Sequence, residues 1–132
     1  MRKAMFEDLV LDIKPIGWVE SSFEIGMKEK TQAILHIFDE YTQGLFRLDE
    51  FKYIMVIFYF HKFNDFNLLA TPPHNNPDKA QYGVFATHSP KRPNHIGVST
   101  VPILEVGQNY IKIDNCDMVF GTPILDIKAQ WI

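Results

Sequence analysis

Short apolar runs broken by Gly, Pro, Asn or Asp recur along the whole 132-residue chain. Leu9 to Val19 is the first, and Pro15 and Gly17 inside it predict a strand with a bend or bulge. Gln32 to Phe38 reads as a short strand. Tyr41 to Glu50 places Tyr41, Leu45 and Leu48 at a helical spacing, which predicts one or two turns of helix. Phe51 to Phe63 is the strongest strand; β-branched and aromatic residues on both alternating faces predict a central strand covered on both sides. The stretch LLATPPHNNPDKAQY that follows is rich in Pro, Asn and Asp and reads as a surface loop. Gly83 to Thr87 reads as a strand running into an irregular turn through Pro90 and Pro93. Val98 to Val106 and Tyr110 to Asp114 predict a hairpin joined at Gly107 to Asn109, and Ile124 to Lys128 predicts a last strand after the Gly121-Thr122-Pro123 turn. Short, closely spaced strands imply a barrel or sandwich, and the absence of a βαβα order excludes a doubly wound nucleotide-binding sheet.

Composition supports that picture. Hydrophobic residues make up 46% and charged residues 22%, which fits an ordered chain with a real core. Eleven Phe, five Tyr and two Trp favour pleated, half-buried surfaces. The length fits one domain, taken as residues 1–132. One cysteine, Cys116, precludes an intrachain disulfide and fits a reducing, cytoplasmic setting. Glu7, Asp8, Asp12 and Lys14 interrupt any apolar leader, and Ile54 to Phe60 is too short to cross a bilayer, so no membrane partner is expected. A net charge of −3 argues against a dedicated duplex-binding domain, hence against DNA, while Lys91 and Arg92 leave a basic patch for structured RNA.

Candidate chemistry concentrates between Gly83 and Ser99, GVFATHSPKRPNHIGVS. Two prolines stiffen the backbone there and two glycines bracket it, so unpaired donors and acceptors can face a ligand. His88, Ser89, Lys91, Arg92, Asn94 and His95 add six polar side chains. The alternative reading is a solvated turn. The chain has no phosphate-binding glycine loop, no nucleophile elbow and no zinc-type histidine spacing, so no metal site is assigned.

This run resembles the signature of the TsaA/TrmO family, GVFATRSPxRPNPIGLS. PIGWVESSF (Pro15 to Phe23) resembles the family's opening strand, GLFRLDEFKYIMVIFYFH (Gly44 to His61) its FxFH block, and GTPILDIKA (Gly121 to Ala129) its closing DGTPVLDIKPY motif. The resemblance implies an all-β-dominated fold, a single compact β-barrel domain with one or two short helical segments. It also implies a homodimer, S-adenosylmethionine as cofactor, and methyl transfer to N6 of threonylcarbamoyladenosine beside the tRNA anticodon. The alternative on the same fold is a module that binds S-adenosylmethionine or a nucleotide with lost or altered, small-molecule activity.

Carried over residue by residue, the resemblance makes Phe60, His61, His88, Ser89, Arg92, Asn94, Thr122 and Asp126 the cofactor-binding candidates. His61 and Asp126 are the catalytic candidates, with Asp126 expected to contact the cofactor or orient Arg92. Lys91, Gln32 and His95 are the candidates for substrate RNA. On position alone, His61 also fits a satisfied edge histidine, and Asp126, flanked by Leu125 and Ile127, a solvent-facing residue or a partner for Lys128. Gly97 is expected to allow close backbone approach. The chain departs from the family pattern at His88 (Arg in the family), at His95 (Pro in the family), at Glu29 to Gln32 in place of a PRQ element, and at Ala129 to Ile132.

Overall fold

The computed structural model describes residues 2–131, and its longer strands bury alternate side chains along part or all of their length. The strands are β1 (Gly17–Ser21), β2 (Thr31–Ile37), β3 (Tyr53–Tyr59), β4 (Leu69–Ala70), β5 (Tyr82–Gly83), β6 (Ile96–Val106), β7 (Tyr110–Cys116) and β8 (Pro123–Ala129). Six of them close into an antiparallel barrel in the order β1-β2-β7-β6-β3-β8, while β4 and β5 form a small separate ladder. The expected barrel is therefore present. Helical structure among the described residues is limited to 3-10 turns at Arg2–Phe6, Asp39–Leu45, Leu48–Glu50 and Val84–Ala86.

Val19, Leu35, Ile54, Val56, Val101, Ile111, Ile113 and Ile124 point inward and are almost fully buried. Each contributes about 1.5–3 kcal/mol through burial. β3 corrects the expectation of cover on both faces. Ile54, Val56 and Phe58 are buried, Met55 and Ile57 half-buried, and Tyr53 and Tyr59 exposed. A barrel has one interior, so β3 is central in having β6 and β8 on its two edges, not in having two buried faces.

Two other expected strands differ. Leu9 to Ile16 is not a strand; the ladder begins at Gly17, where a Cβ would come within 2.0 Å of the His36 carbonyl oxygen. Gly83 to Thr87 pairs only through Gly83 and then tightens into the Val84–Ala86 turn, with Val84 buried. The β6–β7 hairpin and β8 lie where the sequence placed them. The alternation of chain direction gathers the connections 22–30, 60–95 and 117–122 at one end of the barrel, called here the loop end. The segment 38–52 and the β6–β7 turn occupy the opposite end.

Candidate functional site

The turn after β5 is built by its own polar atoms. Thr87 Oγ1 donates to the Val84 carbonyl at 2.8 Å, Ser89 N–H donates to Thr87 Oγ1 at 3.2 Å, and Lys91 N–H donates to Ser89 Oγ at 3.2 Å. Arg92 Nη1 reaches back to the carbonyls of Thr87 (2.7 Å), Val84 (3.1 Å) and Ser89 (3.3 Å). A guanidinium has five N–H donors, so one nitrogen organises the loop while Arg92 still lines a groove with His88. Asn94 is exposed.

His95 corrects the sequence reading. Its backbone is left-handed (φ 53°) and its side chain is 8% exposed, with Nε2 at 2.7 Å from the Asp65 carbonyl and Tyr59 against its ring edge. A ring so enclosed braces the long 60–95 connection and is not available to RNA. Gly97 does permit a close approach, but by the protein itself: a Cβ there would lie 2.6 Å from the Phe58 ring and 2.7 Å from that of Phe60.

Beneath this loop lie two adjoining hollows. The first, about 190 Å³, is an apolar slot between Phe58, Phe60, Phe63, Pro90 and Met118, with His61 and Thr122 on its wall. The second, about 500 Å³, is a more polar groove along Phe85, His88, Arg92, Gly97 and Val98. Phe58, Phe60 and Asp117 belong to both. Asp117 is exposed on the 117–122 connection, and the Ser99 hydroxyl, itself buried, donates to its Oδ1 at 2.6 Å. Neither residue was singled out by sequence reasoning. Ser99 stood unremarked at the end of the signature run, and only the fold carries Asp117 to it.

The imidazole of His61 is held below its ordinary pKa by burial and, secondarily, by Lys62, so it is neutral at neutral pH. Thr122 is buried and donates its hydroxyl to the Val119 carbonyl at 2.6 Å, closing the turn before β8. Burial pushes the Cys116 thiol up, with a lesser contrary effect from the Met118 backbone, which keeps it protonated and removes it as a nucleophile.

Asp126 is not brought to this site. Its Oδ2 pairs with Lys128 Nζ at 3.1 Å, and it lines a different, larger hollow of about 760 Å³ with Ile16, Ile37, Phe51 and Trp131. A register slip between Ile57 and Phe58 leaves Leu125 unpaired with β3; from there Asp126 faces outward on the other side of the barrel wall. The expected contact with Arg92 is therefore replaced by the loop carbonyls. Gln32 is exposed on the outer face of β2 beside Lys112 and Phe120, also outside the two hollows. Lys91 remains on the signature loop, its carbonyl accepting from Asn67 N–H at 3.1 Å.

No group of three His, Cys, Asp or Glu side chains among the described residues is placed to hold a metal ion. No helix among them is long and apolar enough to cross a membrane.

Comparison with known proteins places the chain in a family. The model of the tRNA-methyltransferase O N-terminal domain matches residues 23–131. An S-adenosyl-L-methionine-binding protein of Archaeoglobus fulgidus is 37% identical over 123 residues, covering 88% of this chain and 86% of that protein. A mouse tRNA (adenine(37)-N6)-methyltransferase is 36% identical over 129 residues, covering 87% of this chain but 30% of the mouse protein. Crystalline TrmO from Pseudomonas aeruginosa superimposes with a TM-score of 0.75 at 25% identity, over 96% of this chain and 57% of that one. The chain thus spans little more than half of the solved TrmO chain, and most of the archaeal relative. On the match across residues 23–131, it belongs to the tRNA-methyltransferase O N-terminal domain family.

Proposed function

We propose that this chain is a cytoplasmic, homodimeric, S-adenosylmethionine-dependent tRNA methyltransferase that modifies N6 of adenosine 37, with threonylcarbamoyladenosine as the nucleoside. The observation that carries this reading is the pair of hollows meeting at Asp117. An apolar aromatic slot opens into a polar groove of about 500 Å³, within the range of small-molecule sites. A ligand with a flat base at one end and hydroxyl, ammonium and carboxylate groups at the other fits that division. S-adenosylmethionine, when bound, supplies a methyl group carried on a sulfonium.

The residues of the chain account for binding and orientation. Phe60 and Phe63, both half-buried, offer edges and faces for a base; the buried Phe58 fixes Phe60 edge to face, 4.9 Å between centroids. Asp117, its carboxylate aimed by Ser99, accepts hydrogen bonds from hydroxyl or ammonium groups. The nitrogens of Arg92 that do not hold the loop would be left to bind a carboxylate, whereas Ser89 and Asn94 lie on the same loop but line neither hollow. His61, neutral in its half-buried position, can accept a proton at the edge of the slot. Methyl transfer is chiefly a matter of holding donor and acceptor in line, so rigid loop carbonyls and ring faces matter more than a triad.

The tRNA reading is supported by charge at the same end. Between Phe60 and His95 the chain carries Lys62, Lys79, Lys91 and Arg92 against Asp65 and Asp78, in a chain whose net charge is −3. Phe66, Phe85 and Tyr82 are exposed among them, giving the mixture of cations and stacking surfaces that single-stranded RNA loops use. Incubating the protein with S-adenosylmethionine and tRNA bearing threonylcarbamoyladenosine should add the mass of one methyl group to that nucleoside. A second reading, a binding module without transfer, is favoured by the archaeal relative, which is named as an S-adenosyl-L-methionine-binding protein. Saturable binding with no mass gain would replace the first reading by that one.

A further inference from the structure

The end of the barrel away from the site carries an unpartnered segment and a stretch of β8 with no strand on one side, where the Ile127 N–H is held by Asp126 Oδ1 at 2.8 Å. Met5, Phe6, Leu9, Val10, Leu11 and Ile13 are each more than half exposed. Among the described residues, the backbone from Val10 to Lys14 makes no hydrogen bond to other backbone groups. Such a segment exposes apolar surface to water and offers its solvated backbone groups as a template for pairing.

The chain contains its own control for what that segment can form. Leu11-Asp12-Ile13-Lys14 repeats as Leu125-Asp126-Ile127-Lys128. The second copy is β8, with Ile127 opposite Val56 and an Asp126–Lys128 ion pair of 3.1 Å. The first copy shows the corresponding Asp12–Lys14 pair at 3.6 Å but no neighbouring strand. The tetrapeptide is a competent strand; what the first copy lacks is an edge.

An edge of that kind is available. β1 meets β8 only at Gly17–Ile124 and Trp18–Pro123, so from Leu125 onward β8 has a single strand neighbour, β3. Beside that bare stretch lies the hollow of about 760 Å³, walled by Ile16, Ile37, Tyr41, Phe51, Ile127 and Trp131. In the chain itself the arm does not continue along β8: the Ile16 N–H donates to the Ile124 carbonyl at 2.7 Å, and ahead of it the backbone from Val10 to Lys14 bonds to no other backbone group.

We infer that two copies of this chain exchange arms. The segment Leu9 to Lys14 of each lies along the free edge of β8 in the other, with Leu9, Leu11 and Ile13 turned into the groove. Donor and acceptor occur once in each copy, so a two-fold arrangement satisfies both at once, as a self-complementary interface must. The residues involved suffice: sixteen line the groove, and the arm from Met5 to Ile13 adds its own, against roughly 20–30 residues per side in a standard interface. This rests on the dimer reading above for the second copy, but not on the methyl-transfer chemistry.

The test combines light scattering with hydrogen exchange on the full chain at tens of micromolar and after dilution. The native chain should be a dimer, with the amides of Val10 to Lys14 protected, and dilution should release mass and protection together. Leu11→Asp with Ile13→Asp, both exposed positions that leave the barrel amides protected, should weaken dimerisation by at least about tenfold. Trp131→Asp, on the exposed rim of the groove, should weaken it from the other side. A native chain that stays monomeric overturns both the dimer reading and the arm exchange. A dimer that survives the arm substitutions, or whose 10–14 amides exchange freely, keeps the dimer and overturns the exchange. Protection of those amides that does not depend on concentration places the arm on its own barrel and also overturns it.

Discussion

The two ends of the barrel hold hollows of opposite character. At the end carrying segment 38–52 the hollow is the larger, about 760 Å³, and its titratable side chains are mostly paired: Arg47 with Glu50 at 2.6 Å, Asp126 with Lys128 at 3.1 Å. At the loop end the hollows are smaller, but a buried hydroxyl aims a carboxylate into them and a guanidinium sits fixed at the rim. Volume is therefore a poor guide to chemistry in this molecule. In the proposed function, convergent polar groups beside an apolar slot identify the ligand site, and in the proposed arm exchange the wider groove takes a length of polypeptide.

Substitutions at the two ends should separate these uses. The largest effect is expected from Arg92→Ala. It removes hydrogen bonds to three carbonyls, should cost about 2–3 kcal/mol of stability, and should lower S-adenosylmethionine affinity roughly a hundredfold, about 2.7 kcal/mol. Thermal unfolding and calorimetry read the two effects separately. Next is Gly97→Ala, whose Cβ would press into Phe58 and Phe60. Overpacking of this kind costs about 1–3 kcal/mol and should distort the slot, lowering both Tm and affinity. Asp126→Ala, at the other end, should change stability by no more than about 0.5 kcal/mol, as for other exposed pairs, and leave S-adenosylmethionine binding unchanged. Lost affinity in that variant would erase the distinction between the ends.

The smallest effect concerns pH. Burial keeps the folded-state pKa of His61 below its ordinary value near 6.5. The unfolded chain therefore takes up the proton first, and stability falls as pH drops below about 6.5 until the folded-state pKa is reached. His61→Gln should flatten that part of a stability–pH curve measured by denaturant unfolding; an unchanged slope would contradict a neutral, partly buried ring.

Most of the barrel was legible because its strands are locally encoded. The run at Gln32 to Phe38 is β2 displaced by one residue, and the last strand extends by one residue at each end. Leu9 to Ile16 was misread for a reason outside the segment. Its pattern and its repeated tetrapeptide are those of a strand, but a strand exists only against a neighbour. Gly83 to Thr87 was misread because Arg92 and Thr87 pull its carbonyls into a turn.

The site was legible in part. Pro90 of the signature run and His61, both singled out in the sequence, line one hollow together, whereas Asp126 lines another and His95 is buried against the Asp65 carbonyl. For Asp126, strand alternation correctly turned the side chain outward but could not say which hollow it would meet. For His95, a left-handed backbone turned a polar residue inward. Asp117 carried no local sign, since its importance comes from Ser99, eighteen positions earlier, reaching it across the barrel mouth.

The account rests most heavily on Asp117, and one titration tests it. S-adenosylmethionine is titrated by calorimetry into the native protein and into Asp117→Asn and Asp126→Asn. The account predicts saturable binding to the native chain, the same affinity for Asp126→Asn, and affinity at least about tenfold weaker for Asp117→Asn. Native-like binding by Asp117→Asn, or weakened binding only in Asp126→Asn, would contradict it.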